Sequence, residues 1–175
     1  MTDHFDIKGE EHAASVVERF LAVQKTIEGT GDWVCDQQTL KCRLKYALAI
    51  DGVIVPQTLD VSHFPRSDIK GFTITLNFPP CILRLDYDPP EKYHDNPVSF
   101  IGGFEARVYG PHFHEWADNS RFCDKNNITD ELPYARTLPT NIKSYKAALF
   151  WFCDRANIVM TNENYVELPP AEWLL

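Results

Sequence analysis

The sequence predicts an α+β domain: an antiparallel sheet of about five strands, with an N-terminal and a C-terminal helix packed on one face. Three observations carry this. Apolar and polar residues alternate in several short runs, the period of a half-buried strand. Asp51-Gly52 joins two such runs, and this dipeptide is a strong two-residue hairpin signal. The stretches with helical three-to-four spacing lie toward the chain ends, so the strands follow one another as hairpins between two helices.

Residues 10–28, EEHAASVVERFLAVQKTIE, place Val16, Phe20, Val23 and Ile27 at helical spacing, joined by Val17 and Leu21. Glu10 and Glu11 suit the positive N-terminal end and Gly29 the exit. In CRLKYALAI (42–50), Cys42, Leu44, Tyr46, Leu48 and Ile50 point one way, and Arg43 and Lys45 the other. A two-residue Asp51-Gly52 loop then pairs Ile50 with Val53, Leu48 with Val55, Leu44 with Leu59 and Cys42 with Val61. Pro56 cannot donate to a ladder, which predicts that strand 53–61 is an edge or ends early. FTITLNF (72–78) sends Phe72, Ile74, Leu76 and Phe78 inward, and Pro79-Pro80 breaks it. CILRLDY (81–87) puts Cys81, Leu83, Leu85 and Tyr87 on one face, with Arg84 and Asp86 on the other. In FEARVYG (104–110), Phe104, Ala106 and Val108 read as inward, and the strand can continue through a bulge at Pro111 into His112 and His114. Thr140 caps a predicted helix over 141–156, where Ile142, Tyr145, Leu149 and Phe152 share a face. A short strand or tail, YVEL, precedes Pro169-Pro170.

At 175 residues the chain reads as one domain over 1–175: an acidic helical part (1–40), the sheet (41–116), then a loop, helix and tail (117–175). No run approaches the ~20 apolar residues of a membrane helix, so no membrane partner is expected. The acidic start MTDHFDIKGEEH does not read as a signal peptide. Five cysteines are odd in number and scattered, with no CxxC pair, which points away from disulfides and toward a reducing, cytoplasmic setting. The net charge of −8 opposes nucleic-acid binding by the chain as a whole, but residues 1–36 carry −5 of it. Residues 41–88 hold six bases against five acids, so the middle of the chain stays open to an anionic ligand.

The alternation puts Arg43, Lys45, Thr73, Thr75, Asn77, Arg84, Asp86 and Arg107 on one uncovered face. Such faces are usually solvated, with charges paired across strands. This one leads into GPHFHEWADN (110–119), where His112 and His114 lie two apart and point the same way on a strand. Two chemistries compete there. A tetrahedral metal needs a further protein ligand, and His94, Asp95 or Asp118 can supply one from a loop. Acid–base catalysis needs only the two imidazoles and a cation for the developing phosphorane charge, which Arg84 and Arg107 offer. A third reading is structural, with the histidines bonding loop carbonyls.

The run LRLDYDPPEKYH…GPHFHEW (83–116) resembles the central signature of the TumE-type toxin family, small α+β proteins of bacterial toxin–antitoxin modules. That signature has an arginine and an aspartate on a strand (Arg84, Asp86), a proline–histidine turn, and a proline before closely spaced histidines (Pro111, His112, His114). Here the turn is longer, holds one histidine (His94), and is separated from the pair by PVSFIGGFEARVY. The resemblance covers about a fifth of the chain and implies a toxin-like protein of a mobile element acting on RNA.

The resulting expectation is a metal-independent ribonuclease with no cofactor. His112, His114, Arg84 and Asp86 form its catalytic set, with Asp86 orienting a histidine, and Arg43, Lys45, Arg107, His94 and Trp116 form its substrate contacts. An antitoxin or another protein is the expected partner. The alternative is a non-enzymatic acidic interaction or inhibitor protein of a phage or mobile element, meeting a basic partner through Glu10, Glu11 and Glu18.

Overall fold

The computed structural model describes residues 13–65, 71–97, 103–122, 128 and 132–174. It is α+β, with three α-helices and a mixed sheet larger than the alternation predicts. Helix α1 spans Ala13–Ala22. The first six strands are β1 (Lys25–Glu28), β2 (Trp33–Asp36), β3 (Lys41–Ile50), β4 (Val53–His63), β5 (Phe72–Asn77) and β6 (Cys81–Tyr87). Next come β7 (Tyr93–Asp95), β8 (Arg107–Tyr109), β9 (His112–His114) and the single-turn helix α2 (Trp116–Asn119). Strand β10 (Arg136–Thr137), helix α3 (Tyr145–Arg155) and β11 (Ile158–Val159) complete the order. Nine strands form the main sheet in the order β10-β9-β6-β5-β4-β3-β1-β11, with β2 also on β3; β7 and β8 make a separate two-stranded sheet.

The helix predicted over 10–28 ends at Ala22, and Lys25–Glu28 is a strand. The side chain of Lys25 explains the change. Fully buried, its ammonium donates to the carbonyls of Phe20 (2.7 Å) and Val23 (2.6 Å), groups left open where the helix stops. Thr26 and Ile27 then pair with Ala49 and Leu48 of β3, and Lys25 and Thr26 pair in parallel with β11. The C-terminal helix starts later than the spacing suggests: Ser144, not Thr140, caps it by accepting from the Ala147 N–H. The YVEL segment forms no strand.

The Asp51-Gly52 hairpin has the expected pairs Ile50–Val53 and Leu48–Val55. Beyond them the register slips by two, so Leu44 meets Val61 and Cys42 meets His63. The slip falls at Pro56 and Gln57, where the missing N–H interrupts the ladder. An even slip keeps every side chain on its own face, so the apolar pattern survives. Strand β4 is therefore internal, not an edge, although residues 53–57 have no ladder partner on the β5 side.

The inward residues Leu44, Tyr46, Leu48, Leu59, Val61, Ile74, Leu76, Leu83, Leu85 and Phe113 share one core cluster with Val16, Val17 and Phe20 of α1 and Leu149 and Phe152 of α3. Cys35 and Cys42 face each other across β2 and β3, 4.0 Å apart at Cα, and form a disulfide. This overturns the expectation that the cysteines stay unpaired. Their partnership is made by a hairpin spacing of seven residues, which a search for CxxC passes over. Among the described residues no helix is long and apolar enough to cross a membrane.

Candidate active site

Strand β9 pairs antiparallel with β6, setting His112 beside Asp86, Phe113 beside Leu85 and His114 beside Arg84. Phe113 enters the core and meets Trp151 and Phe152 edge-on. Its neighbours His112 and His114 therefore emerge on the opposite face with Arg84 and Asp86. Glu115 points away from them and pairs with Arg155.

The four side chains form one network. Asp86 Oδ2 accepts from Arg84 Nε at 2.8 Å and Asp86 Oδ1 accepts from Thr73 Oγ1 at 2.8 Å. The Nε2 atoms of His112 and His114 each lie 3.5 Å from Asp86 Oδ2. Arg84 Nη2 reaches His114 Nε2 at 2.8 Å. Each histidine uses its other ring nitrogen on a backbone carbonyl: His112 Nδ1 on Gly110 (2.9 Å) and His114 Nδ1 on Leu132 (2.6 Å). A carbonyl only accepts, so both Nδ1 atoms carry protons. A guanidinium only donates, so His114 Nε2 offers its lone pair to Arg84 and the ring is neutral.

The electrostatics separate the two rings. For His114, burial dominates and, with the Arg84 charge, outweighs Asp86, lowering the pKa to about 4. For His112, burial also disfavours charge, but the Asp86 carboxylate and the Gly110 carbonyl outweigh it and raise the pKa. Asp86 itself stays far below the usual carboxylate range: burial opposes its charge, yet the imidazoles, Arg84 and Thr73 prevail. His112 thus holds a proton more readily than an ordinary imidazole and His114 less readily, beside one shared carboxylate.

His94 joins from β7. Its ring lies 5.4 Å from that of His112 and 4.8 Å from that of His114, and its Nε2 donates to the Pro133 carbonyl at 2.8 Å. His94, His112 and His114 offer ligand atoms within 4.8 Å of one another, the third ligand that a metal reading asks for. Arg84 counts against that reading. It already occupies the His114 lone pair and brings a positive charge to the centre, so a metal ion would have to displace it.

The carbonyls that orient His94 and His114 lie on the 132–135 segment, which two buried asparagines hold in place of a ladder. Asn119 donates to the carbonyls of Glu115 and Tyr134 and accepts from the Tyr134 N–H. Asn96 donates to the carbonyls of Glu105 and Ala135 and accepts from the Ala135 N–H. Neither stands out in the sequence, since a lone asparagine in a loop signals only a turn. Asn119→Ala is expected to cost about 2–4 kcal/mol in a denaturant titration, because it strands buried backbone groups of Tyr134 and Glu115. A loss below about 0.5 kcal/mol, the low end for a single hydrogen bond, would show that the segment holds itself.

Arg43, Lys45, Thr73, Thr75, Arg84 and Asp86 line a trough of about 630 Å³ on the polar face of the sheet, together with Lys41, Asp32 and Asp60. Arg43 and Lys45 have no ion-pair partner among the described residues, whereas Asp60 accepts from Asn77 at 2.8 Å. Three predicted contacts lie outside the trough: His94, which sits with His112 and His114, Arg107 and Trp116. Arg107 is off this face, because β8 leaves the main sheet at Gly110 (φ 68°) and Pro111; it pairs with Asp95 at 2.7 Å. Ala106, expected inward, is exposed. Trp116 is buried in the core at the start of α2 and does not line the trough. Glu10 and Glu11 lie outside the described residues.

No family model, no curated protein and no solved structure matches the chain. The functional reading therefore rests on the residues themselves.

Proposed function

We propose that the chain is a toxin-like ribonuclease of a prokaryotic mobile element, cleaving RNA by metal-independent acid–base catalysis at the His112–His114 pair. The observation that supports this best is the double membership of Arg84 and Asp86. Both line the cationic trough; Asp86 reaches both imidazoles behind it, and Arg84 reaches that of His114. A phosphodiester held along Arg43 and Lys45 arrives at Arg84, whose side chain is 35% exposed. Arg84 then exchanges the His114 lone pair for a phosphate oxygen and stabilises the phosphorane charge.

That exchange frees His114 Nε2 to accept the 2′-hydroxyl proton as the 2′-oxygen attacks phosphorus. His112, charged at Nε2, gives its proton to the departing 5′-oxygen. The products are a 2′,3′-cyclic phosphate and a 5′-hydroxyl end. Asp86 takes no proton; it is a positioning residue that keeps His112 charged. The likeness of 83–116 to TumE-type toxins points to the same substrate class, and it implies an antitoxin-like protein partner.

The pH dependence tests this assignment. Activity needs His114 neutral and His112 charged. The rate is expected to rise through about pH 4 as His114 loses its proton, and to fall on the alkaline side of 6.5 as His112 loses its own. Initial rates of cleavage of a fluorogenic RNA from acid to alkaline pH give the profile. A rate that climbs steadily from neutral into alkaline pH contradicts the roles given to the two histidines.

A further inference from the structure

The β7–β8 hairpin has two faces with different work. Its inner residues are Val108, which is buried, and His94, which packs against His112 and His114. Its outer residues, Tyr93 and Tyr109, stand directly opposite each other, 47% and 54% exposed, with ring centroids 5.6 Å apart. Arg107 lies over the Tyr93 ring, its guanidinium carbon 3.9 Å from the centroid, and is fixed at its other side by Asp95. The result is a braced pair of phenol rings, open to solvent, on the hairpin that carries His94 into the site.

Cross-strand aromatic pairs can stabilise a hairpin, and that alone would explain one face of each ring. It does not require a guanidinium clamp. We propose that Tyr93 and Tyr109, braced by Arg107, stack an unpaired nucleobase of a bound single strand. The proposal rests on the RNA-cleavage reading. Every base has a π-face, so such a platform strengthens binding without selecting a sequence, and it requires a single strand whose bases are free. Arg107 thereby acts through the rings rather than through phosphate on the sheet.

The test is binding of a short mixed-sequence RNA, 2′-O-methylated so that it cannot be cut, against the same strand with abasic positions. Anisotropy titrations compare wild type with Tyr93→Ala/Tyr109→Ala and Tyr93→Phe/Tyr109→Phe. The alanine pair is expected to weaken binding of the full strand about tenfold or more. The phenylalanine pair should bind like wild type, and all three proteins should bind the abasic strand equally. Equal binding of the full strand by wild type and the alanine pair overturns the platform while leaving RNA cleavage standing. An equal loss on both strands also overturns it, since that marks a structural role. No binding of either strand by wild type overturns the platform and the RNA reading together.

Discussion

His112→Ala is expected to lower RNA cleavage by about 10²- to 10⁴-fold, the usual worth of a positioned general acid. The ring is buried, yet its Nε2 lies 3.5 Å from Asp86 Oδ2, on a carboxylate that also lines the trough. Removing it takes away the proton for the leaving oxygen and leaves Arg43, Lys45 and Arg84 in place. Binding of uncleavable RNA should therefore change little while the rate collapses. A His112→Ala protein that folds, binds RNA and cuts at the wild-type rate would remove His112 from the chemistry.

Asp86→Asn should act differently. The introduced amide can accept from Arg84 through its oxygen and donate to the Thr73 hydroxyl through its nitrogen, but it carries no charge to hold a proton on His112. Burial then governs that ring, and its pKa drops below the ordinary 6.5. Cleavage at neutral pH is expected to fall about 100-fold and to recover partly at lower pH, where His112 regains its proton. The same change should cost about 2 kcal/mol of stability, since Arg84 and His112 lose a shared anion that is only 18% exposed. A uniform loss at every pH would mark Asp86 as structural only.

Side-chain parity is the most legible part of this chain. The alternation in 42–50, 72–78 and 81–87 puts Arg43, Lys45, Thr73, Arg84 and Asp86 on one side of the sheet, as the structure has them, because a strand's period of two is local and survives an even register slip. It also sends His112 and His114 to the side opposite Phe113. What escapes lacks such a period. Strands β1, β2, β10 and β11 hold two to four residues each, too few to alternate visibly. The departure of β8 from the sheet turns on Gly110 and Pro111, which read equally well as a bulge. The carbonyls that fix the tautomers of His94 and His114 come from a loop 18 to 39 residues away along the chain, positioned by Asn96 and Asn119. The Cys35–Cys42 disulfide depends on a four-residue strand that the pattern does not announce. Trp116 resembles a substrate contact because of its neighbours in sequence, but the helical turn after β9 sends it into the core.

The most direct measurement is cleavage of total RNA by the purified protein in EDTA, with the ends of the fragments identified and the His112→Ala/His114→Ala variant alongside. Acid–base catalysis by this pair predicts cleavage undiminished by the chelator, fragments ending in 2′,3′-cyclic phosphate and 5′-hydroxyl, and intact RNA with the double variant. RNA left equally intact by both proteins, or cut only after a divalent metal is added back, would contradict it.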